Sequence, residues 1–167
     1  MAVLFQNKNT LLAVFIWLIV TACGAPQRNW HYQVPKDYQG FLVIRFGCKD
    51  GKDVTKSGHA VLIRYSNQGV ACTGASLSEF VPRVGNDVCD DSVGNQIPLL
   101  VNGTTQGAGP TKALCGGETS SGTINGQVFE WYIMWIGDPK AYARFRNSEQ
   151  YHNDLNQFLN DRFQAGL

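Results

Sequence analysis

The five cysteines are the residues of this chain whose types and spacing point most directly to a chemistry. They stand at Cys23, Cys48, Cys72, Cys89 and Cys115. No two of them have the C-x₂₋₄-C spacing of zinc sites, so the sequence gives no support for bound zinc. In an exported protein cysteines pair as disulfides, and an odd number leaves one thiol for another reaction.

Cys23 follows a segment that has the features of an export signal. One cation, Lys8, precedes an apolar run over residues 11–20 that reads LLAVFIWLIV. This length suits the hydrophobic part of a signal peptide and falls short of the ~20 residues of a membrane-spanning helix. The order Val20-Thr21-Ala22-Cys23 resembles the lipobox, where the chain is cut before the cysteine and its thiol receives diacylglycerol.

We therefore predict a lipoprotein with a signal peptide over 1–22, lipid on Cys23, a tether over 23–33 and one domain over 34–167. Within the tether, Trp30 and Tyr32 are either free or packed on the edge of the domain. Two alternatives stay open: an ordinary secretory signal beside a chance cysteine, and an uncleaved anchor helix. The expected location is the cell envelope, on a membrane through the lipid. In a Gram-negative cell, Gly24 in place of an aspartate permits the outer membrane, facing the periplasm.

Lipidation of Cys23 leaves four cysteines, for which we predict two disulfides. Three connectivities are possible, and the sequence does not choose between them. We favour Cys48 with Cys72 and Cys89 with Cys115, because each bridge then closes a local loop. On the chain-entropy model, such a ring of about 25 residues stabilises the fold by ~3.5 kcal/mol.

The charge balance argues against two classes of electrostatic partner. Residues 1–22 hold one of the 14 basic residues and none of the 13 acidic residues, so the remaining chain is formally neutral. A neutral domain without a basic run gives no electrostatic case for nucleic acid or anionic lipid. The expected partners are a membrane, through the lipid anchor, and a protein as an open alternative.

Runs of strand-forming residues predict a mainly β domain. Residues 41–46, 60–65 and 70–73 are expected to form a meander, with a turn at 66–69 before the third strand. Residues 97–101 are expected to form a short edge strand, because Pro98 cannot donate to a ladder. Residues 127–136 are apolar on both faces, which predicts a central strand.

Helical signals are confined to the C-terminal part. Asp138 before Pro139 predicts the start of a short helix that runs to about Arg144. Asn147 and Gln150 resemble a capping box for the last helix, whose apolar residues share one face: Tyr151, Leu155, Phe158, Leu159 and Phe163. The expected fold is an antiparallel sandwich or partial barrel with a C-terminal amphipathic helix packed on a sheet.

Other candidate site residues do not form a catalytic pattern. His31, His59 and His152 are far apart in sequence and lack H-E-x-x-H spacing, so no metal, cofactor or catalytic residue is expected. Asp87, Asp90, Asp91 and Asn95 surround Cys89 without the spacing of a calcium loop.

Arg45 and Arg64 are unusual because each lies at the end of an apolar strand. The sequence favours pairing of each arginine with a carboxylate of Glu79, Glu118 or Glu130, which is the commoner situation for arginines in strands. The alternative is that both lie at similar depth in adjacent strands and together form one cationic spot for an acidic ligand.

Residues 34–44 (VPKDYQGFLVI) and 69–73 (GVACT) resemble an uncharacterised bacterial domain family whose members often occur in small lipoproteins. The resemblance implies a fold and no activity. The function predicted from the sequence is a noncatalytic envelope lipoprotein that presents a binding or structural domain. Two alternatives are a periplasmic immunity or inhibitor protein, which uses 81–126 as its binding loop, and a hydrolase whose site forms only on folding.

Overall fold

The computed structural model describes residues 29–58, 60–80, 87–100, 110–124 and 126–164. These residues form two facing β-sheets, and two helices cover the outer face of the second sheet. The predicted signal peptide, Cys23 and residues 24–28 of the predicted tether lie outside the described residues.

The described residues form nine strands. In chain order they are β1 (Asn29–Val34), β2 (Gly40–Arg45), β3 (Val54–Ser57), β4 (Ala60–Arg64), β5 (Val70–Cys72), β6 (Val88–Asp91), β7 (Leu99–Leu100), β8 (Ala113–Ile124) and β9 (Gln127–Gly137). The first sheet has the order β3-β4-β1-β6, and the second sheet has the order β5-β2-β9-β8-β7. A 3₁₀ helix spans Leu77–Glu79, α1 spans Pro139–Phe145, and α2 spans Glu149–Gln164.

The second sheet is the middle layer of three and is apolar on both faces. On β2, Leu42 and Ile44 face the first sheet, whereas Phe41 and Val43 face the helices. Side chains alternate between faces along a strand, so each central strand must supply apolar residues in both directions. The prediction that residues 127–136 form a central strand is confirmed, since β9 lies in the middle of this sheet.

Both helices pack on the face of the second sheet that points away from the first. Asp138 caps α1: its Oδ1 accepts a hydrogen bond from Lys140 N at 2.9 Å, and Pro139 takes the first helical position. Ser148 Oγ accepts a hydrogen bond from Tyr151 N at 3.2 Å at the start of α2, one residue later than the expected cap. The predicted packing face is confirmed by four buried residues of α2: Tyr151, Leu155, Leu159 and Phe163.

The fold class is confirmed: the domain is mainly β, with two packed sheets and a C-terminal helix. Residues 99–100 form the short edge strand expected near Pro98. Neither helix of the described part combines the length and apolar character that crossing a membrane requires.

The strand directions differ from the expected antiparallel arrangement. β1 pairs in parallel with both β4 and β6, and β2 pairs in parallel with β5. The predicted meander is wrong, because β4 belongs to the first sheet and β5 to the second. The chain changes sheet at the turn over 66–69, where Gly69 N donates to Ser66 O at 2.9 Å. When two consecutive strands belong to different sheets, the second need not run antiparallel to the first.

Part of the predicted tether is a strand. Residues 29–33 belong to β1, which lies between β4 and β6 in the first sheet. Trp30 and Tyr32 are buried between the sheets, and the Trp30 ring lies 4.2 Å from that of Phe80. Phe80 also contacts Phe46, with ring centroids 4.9 Å apart. Burial of two aromatic rings outweighs the polar composition on which the tether prediction depends.

Candidate binding cleft

Cys48 and Cys72 form the disulfide that the sequence analysis favoured. Their Cα atoms are 6.0 Å apart, within the range for a bridge. Cys48 lies just beyond β2, and Cys72 ends β5, the parallel neighbour of β2. The bridge therefore ties the end of β2 to the edge of the second sheet.

The second predicted disulfide, between Cys89 and Cys115, is wrong. Both are free and fully buried. Cys89, on β6, lies in the core between the two sheets, whereas Cys115, on β8, lies in the core beneath the helices. The second sheet separates the two thiols, and a bridge would have to pass through its backbone.

Burial also makes these two thiols unreactive. It raises the pKa of Cys89 to about 12, with a smaller contribution from Asp90. It raises the pKa of Cys115 to about 11, and Asp138 adds to that effect. At neutral pH both remain protonated, and a protonated, inaccessible thiol is neither a nucleophile nor a metal ligand.

The histidines do not assemble into a site with the cysteines. His31 Nε2 lies 2.7 Å from Asp90 Oδ2, a pair formed because β1 and β6 are neighbours in the first sheet. This pair is not predictable from the sequence, since no local signal indicates parallel pairing of these strands. His152 is exposed on α2 with its ring against that of Tyr151, and His59 lies outside the described residues.

The acidic residues around Cys89 are engaged with the protein itself. Asp87 Oδ1 accepts a hydrogen bond from Trp30 N at 3.0 Å, although burial still raises the pKa of Asp87. Asp91 Oδ1 accepts hydrogen bonds from Val93 N and Asn95 N, and Asn95 contributes most to lowering the Asp91 pKa. Among the described residues, no group of three or more His, Cys, Asp or Glu side chains is arranged to hold a metal ion.

The two arginines do not form one cationic spot, because their strands belong to different sheets. Arg64 is exposed, and its Nη1 donates to Thr55 Oγ1 at 3.2 Å. The Arg45 guanidinium lies over the rings of Phe129 and Phe163, at 4.4 Å and 5.2 Å from their centroids. Burial lowers the pKa of Arg45 from its ordinary value.

Arg45 lines a cleft of about 1120 Å³ at the end of the sandwich where β2 ends and β9 begins. Sites that bind small organic molecules commonly have volumes of ~300–1,000 Å³, so this cleft also has room for a short stretch of polypeptide. One wall includes the Cys48–Cys72 disulfide, and the other is the first part of β9, with Val128 three-quarters exposed.

The cleft has an excess of negative charge. Four carboxylates line it, from Asp50, Asp53, Glu79 and Glu130, against two cations, Arg45 and Lys49. Asp53 Oδ2 accepts a hydrogen bond from Cys72 N at 2.9 Å. Hydrogen bonds from the backbone and side chain of Ser76, and then Lys56, lower the pKa of Glu79, which keeps that carboxylate ionised.

The cleft opens where the chain after β2 separates from β9. Phe46 N donates to Glu130 O at 3.1 Å, and this is the last backbone hydrogen bond between these two neighbouring chain segments in the described part of the chain. Gly47 N then donates to Ala75 O and Cys48 N donates to Thr73 O, so the chain turns toward the other side. Among the described residues, no strand pairs with this edge of β9 before Glu130.

Residues 81–126, expected as one binding loop, contain regular structure. β6, β7 and β8 fall in this range, and β8 forms a long antiparallel hairpin with β9. The described part is therefore not one continuous loop. Residues 81–86, 101–109 and 125 lie outside the described residues.

A comparison with solved structures finds a similar fold in a crystal structure of a protein from Bacillus anthracis that is provisionally named a lipoprotein. The TM-score is 0.52, the alignment covers 84% of this chain and 96% of that chain, and the identity is 16%. At this identity the likeness concerns the fold. No protein-family model matches the chain, so the uncharacterised domain family is not supported, and no curated protein matches either.

Proposed function

We propose that this protein is a lipid-anchored, noncatalytic protein of the cell envelope whose β domain binds a partner through the cleft at the start of β9. The observation that carries the binding role is the composition of the cleft. Its described lining combines backbone edge, carboxylates and aromatic rings, and includes neither a histidine nor a free thiol. Such a lining suits recognition more than acid–base or nucleophilic catalysis.

The anchor proposal is supported by the residues before Cys23 and by the fold. The order Val20-Thr21-Ala22-Cys23 follows an apolar run of signal-peptide length. The structural neighbour from Bacillus anthracis carries a lipoprotein name and has a similar fold. Several acyl chains anchor a protein durably, because each buried CH₂ contributes ~0.8 kcal/mol.

Metabolic labelling with an alkyne fatty acid in a bacterial host tests the anchor. We expect the wild-type chain to incorporate the label, to sediment with membranes and to begin at Cys23 by intact-mass analysis. Cys23→Ala should lose the label, whereas the matched control Cys89→Ala should keep it. An unlabelled chain cut at another residue would favour the secretory alternative, and retention of residues 1–22 would favour the anchor helix.

The hydrolase alternative requires a histidine that meets a carboxylate and a nucleophile. The described pair His31–Asp90 lies on the first sheet, where the neighbouring Cys89 directs its thiol into the core. If a preparation of the protein hydrolyses a substrate, we therefore expect the same rate for His31→Ala as for wild type. A lower rate of hydrolysis for His31→Ala would contradict the noncatalytic proposal.

A further inference from the structure

The first part of β9 has an open edge in the plane of the second sheet. The space beside this edge is the position that a longer β2 would occupy. β2 pairs with β9 from Arg45 opposite Trp131 back to Gly40 opposite Ile136, and Phe46 makes the last backbone contact. Beyond that point the disulfide and the contacts to Thr73 and Ala75 hold the chain away from β9. The space left beside residues 127–129 is the cleft.

The lining of the cleft comes from both faces of this sheet. Phe129 faces the helices and stacks on Phe163 with ring centroids 5.4 Å apart. Val128 and Glu130 are on the opposite face, because side chains alternate along a strand. A cavity that contacts both faces at one edge is a slot within the sheet.

The backbone groups of Val128 point into this slot. Glu130 O accepts a hydrogen bond from Phe46, so the Glu130 backbone points toward β2. In an antiparallel ladder alternate residues point the same way, and Val128 is two residues before Glu130. Thr123 lies opposite Val128 in the hairpin. Because the Val128 backbone points away from β8, these two residues form a non-hydrogen-bonded pair of the antiparallel ladder. Val128 N–H and C=O are therefore directed at the position of an added strand.

We propose that an extended segment of a partner polypeptide, with alternating basic and apolar residues, adds to β9 at Val128 as a further strand. The inference rests on the binding role proposed above and not on the lipid anchor. The strand ladder supplies affinity, and the alternating side chains supply specificity. On one face the carboxylates of Glu130 and Glu79 select a basic residue. On the other face the Arg45 guanidinium lies over the rings of Phe129 and Phe163, so an apolar residue is favoured there over a second cation.

The probe is a fluorescent decapeptide of five Val-Lys repeats, titrated against the full-length chain in detergent micelles, whether or not Cys23 carries lipid. Three comparisons are matched to it: a peptide of five Val-Glu repeats, the Val-Lys peptide N-methylated at alternate residues, and the protein variants Val128→Pro and Thr123→Pro. Thr123→Pro is the control because it changes the same cross-strand pair on the edge that faces away from the slot.

We expect the Val-Lys peptide to bind wild type and Thr123→Pro equally, and Val128→Pro to bind about tenfold more weakly because it lacks one ladder donor. The Val-Glu and N-methylated peptides should bind at least about tenfold more weakly than the Val-Lys peptide. The N-methylated peptide needs no protein variant, so this comparison stands even if a proline variant fails to fold.

Three results would overturn the inference: equal binding of both charge patterns, equal loss in both proline variants, or no measurable binding of the Val-Lys peptide. Self-association of the unliganded chain that Val128→Pro abolishes would assign the edge to a second copy instead. None of these results affects the fatty-acid labelling of Cys23, so failure of the strand-addition model is distinguishable from failure of the anchor proposal.

Discussion

Replacing the bridge by Cys48→Ala together with Cys72→Ala should destabilise the domain by about 3.5 kcal/mol. The two cysteines are separated by 24 positions, and the chain-entropy model gives this value for a ring of about 25 residues. A domain of this size is stabilised by ~5–15 kcal/mol in total, so the loss is a large share of the free energy of unfolding. Most of the effect arises in the unfolded chain, which gains conformational freedom.

Urea unfolding followed by far-UV circular dichroism, with and without reductant, measures this loss. Reductant should lower the free energy of unfolding of wild type to that of the double variant, and should leave the variant unchanged. Cys89→Ala is the control, because it removes a buried thiol and keeps the bridge. A difference below about 1 kcal/mol between wild type and the double variant would refute the entropic reasoning.

Intact mass supplies an independent check of the connectivity. Reduction of one bridge adds two hydrogens, so the denatured chain should gain about 2 Da. A gain of about 4 Da would mean a second bridge and would contradict the placement of Cys89 and Cys115 on opposite sides of the second sheet. Before reduction, these two thiols should react with maleimide only in denaturant.

Three further predictions concern the buried thiols, the packing of α2 and the turn at Gly69. Because the unfolded chain releases its thiol protons at lower pH than the folded one, the free energy of unfolding should fall as pH rises above about 9, by up to ~1.4 kcal/mol per pH unit for each thiol. The fall should continue to about pH 11 for Cys115 and to about pH 12 for Cys89. Urea unfolding of Cys89→Ala should show a shallower fall, and an identical fall would contradict this. Phe163→Ala should lower the free energy of unfolding by ~3–5 kcal/mol in the same assay, whereas Val128→Ala, at an exposed position, should change it by about zero. A change near zero for both variants would show that α2 does not pack as described. Gly69 has φ +77°, and Gly69→Ala places a Cβ against a tyrosine hydroxyl and a backbone carbonyl. The melting temperature of this variant should fall well below that of Gly58→Ala, which meets only the ~1 kcal/mol cost of left-handed backbone. Equal melting temperatures would contradict the close packing at Gly69.

The sequence predicted the elements whose signals are local. The apolar run of β9, the Asp138–Pro139 helix start and the stripe along α2 each depend on neighbouring residues, and each is present. The Cys48–Cys72 bridge also joins segments close in the chain. Such features follow from periodicity and capping without knowledge of the tertiary fold.

The sequence did not predict which sheet each strand joins, and the site depends on that. The cleft exists because β2 leaves β9 at Phe46, a long-range event with no local signature. The same limit produced the wrong Cys89–Cys115 pairing, since sequence spacing does not show that a sheet lies between the two thiols. Without that bridge, an even count of remaining cysteines no longer supports lipidation of Cys23, which now depends on the signal-like residues and the fold.

The early start of β1 limits how far the cleft can be from a lipid on Cys23. Only six residue steps separate Cys23 from Asn29, at most ~21 Å of extended chain. Phe80 contacts both Trp30, near the start of β1, and Phe46, beside the cleft, so both lie toward the same end of the sandwich. Under the proposed anchor, the binding edge would stay close to the bilayer surface. Its partner would then be met at high effective concentration if it too were held at that membrane, and a freely diffusing protein would have no such advantage.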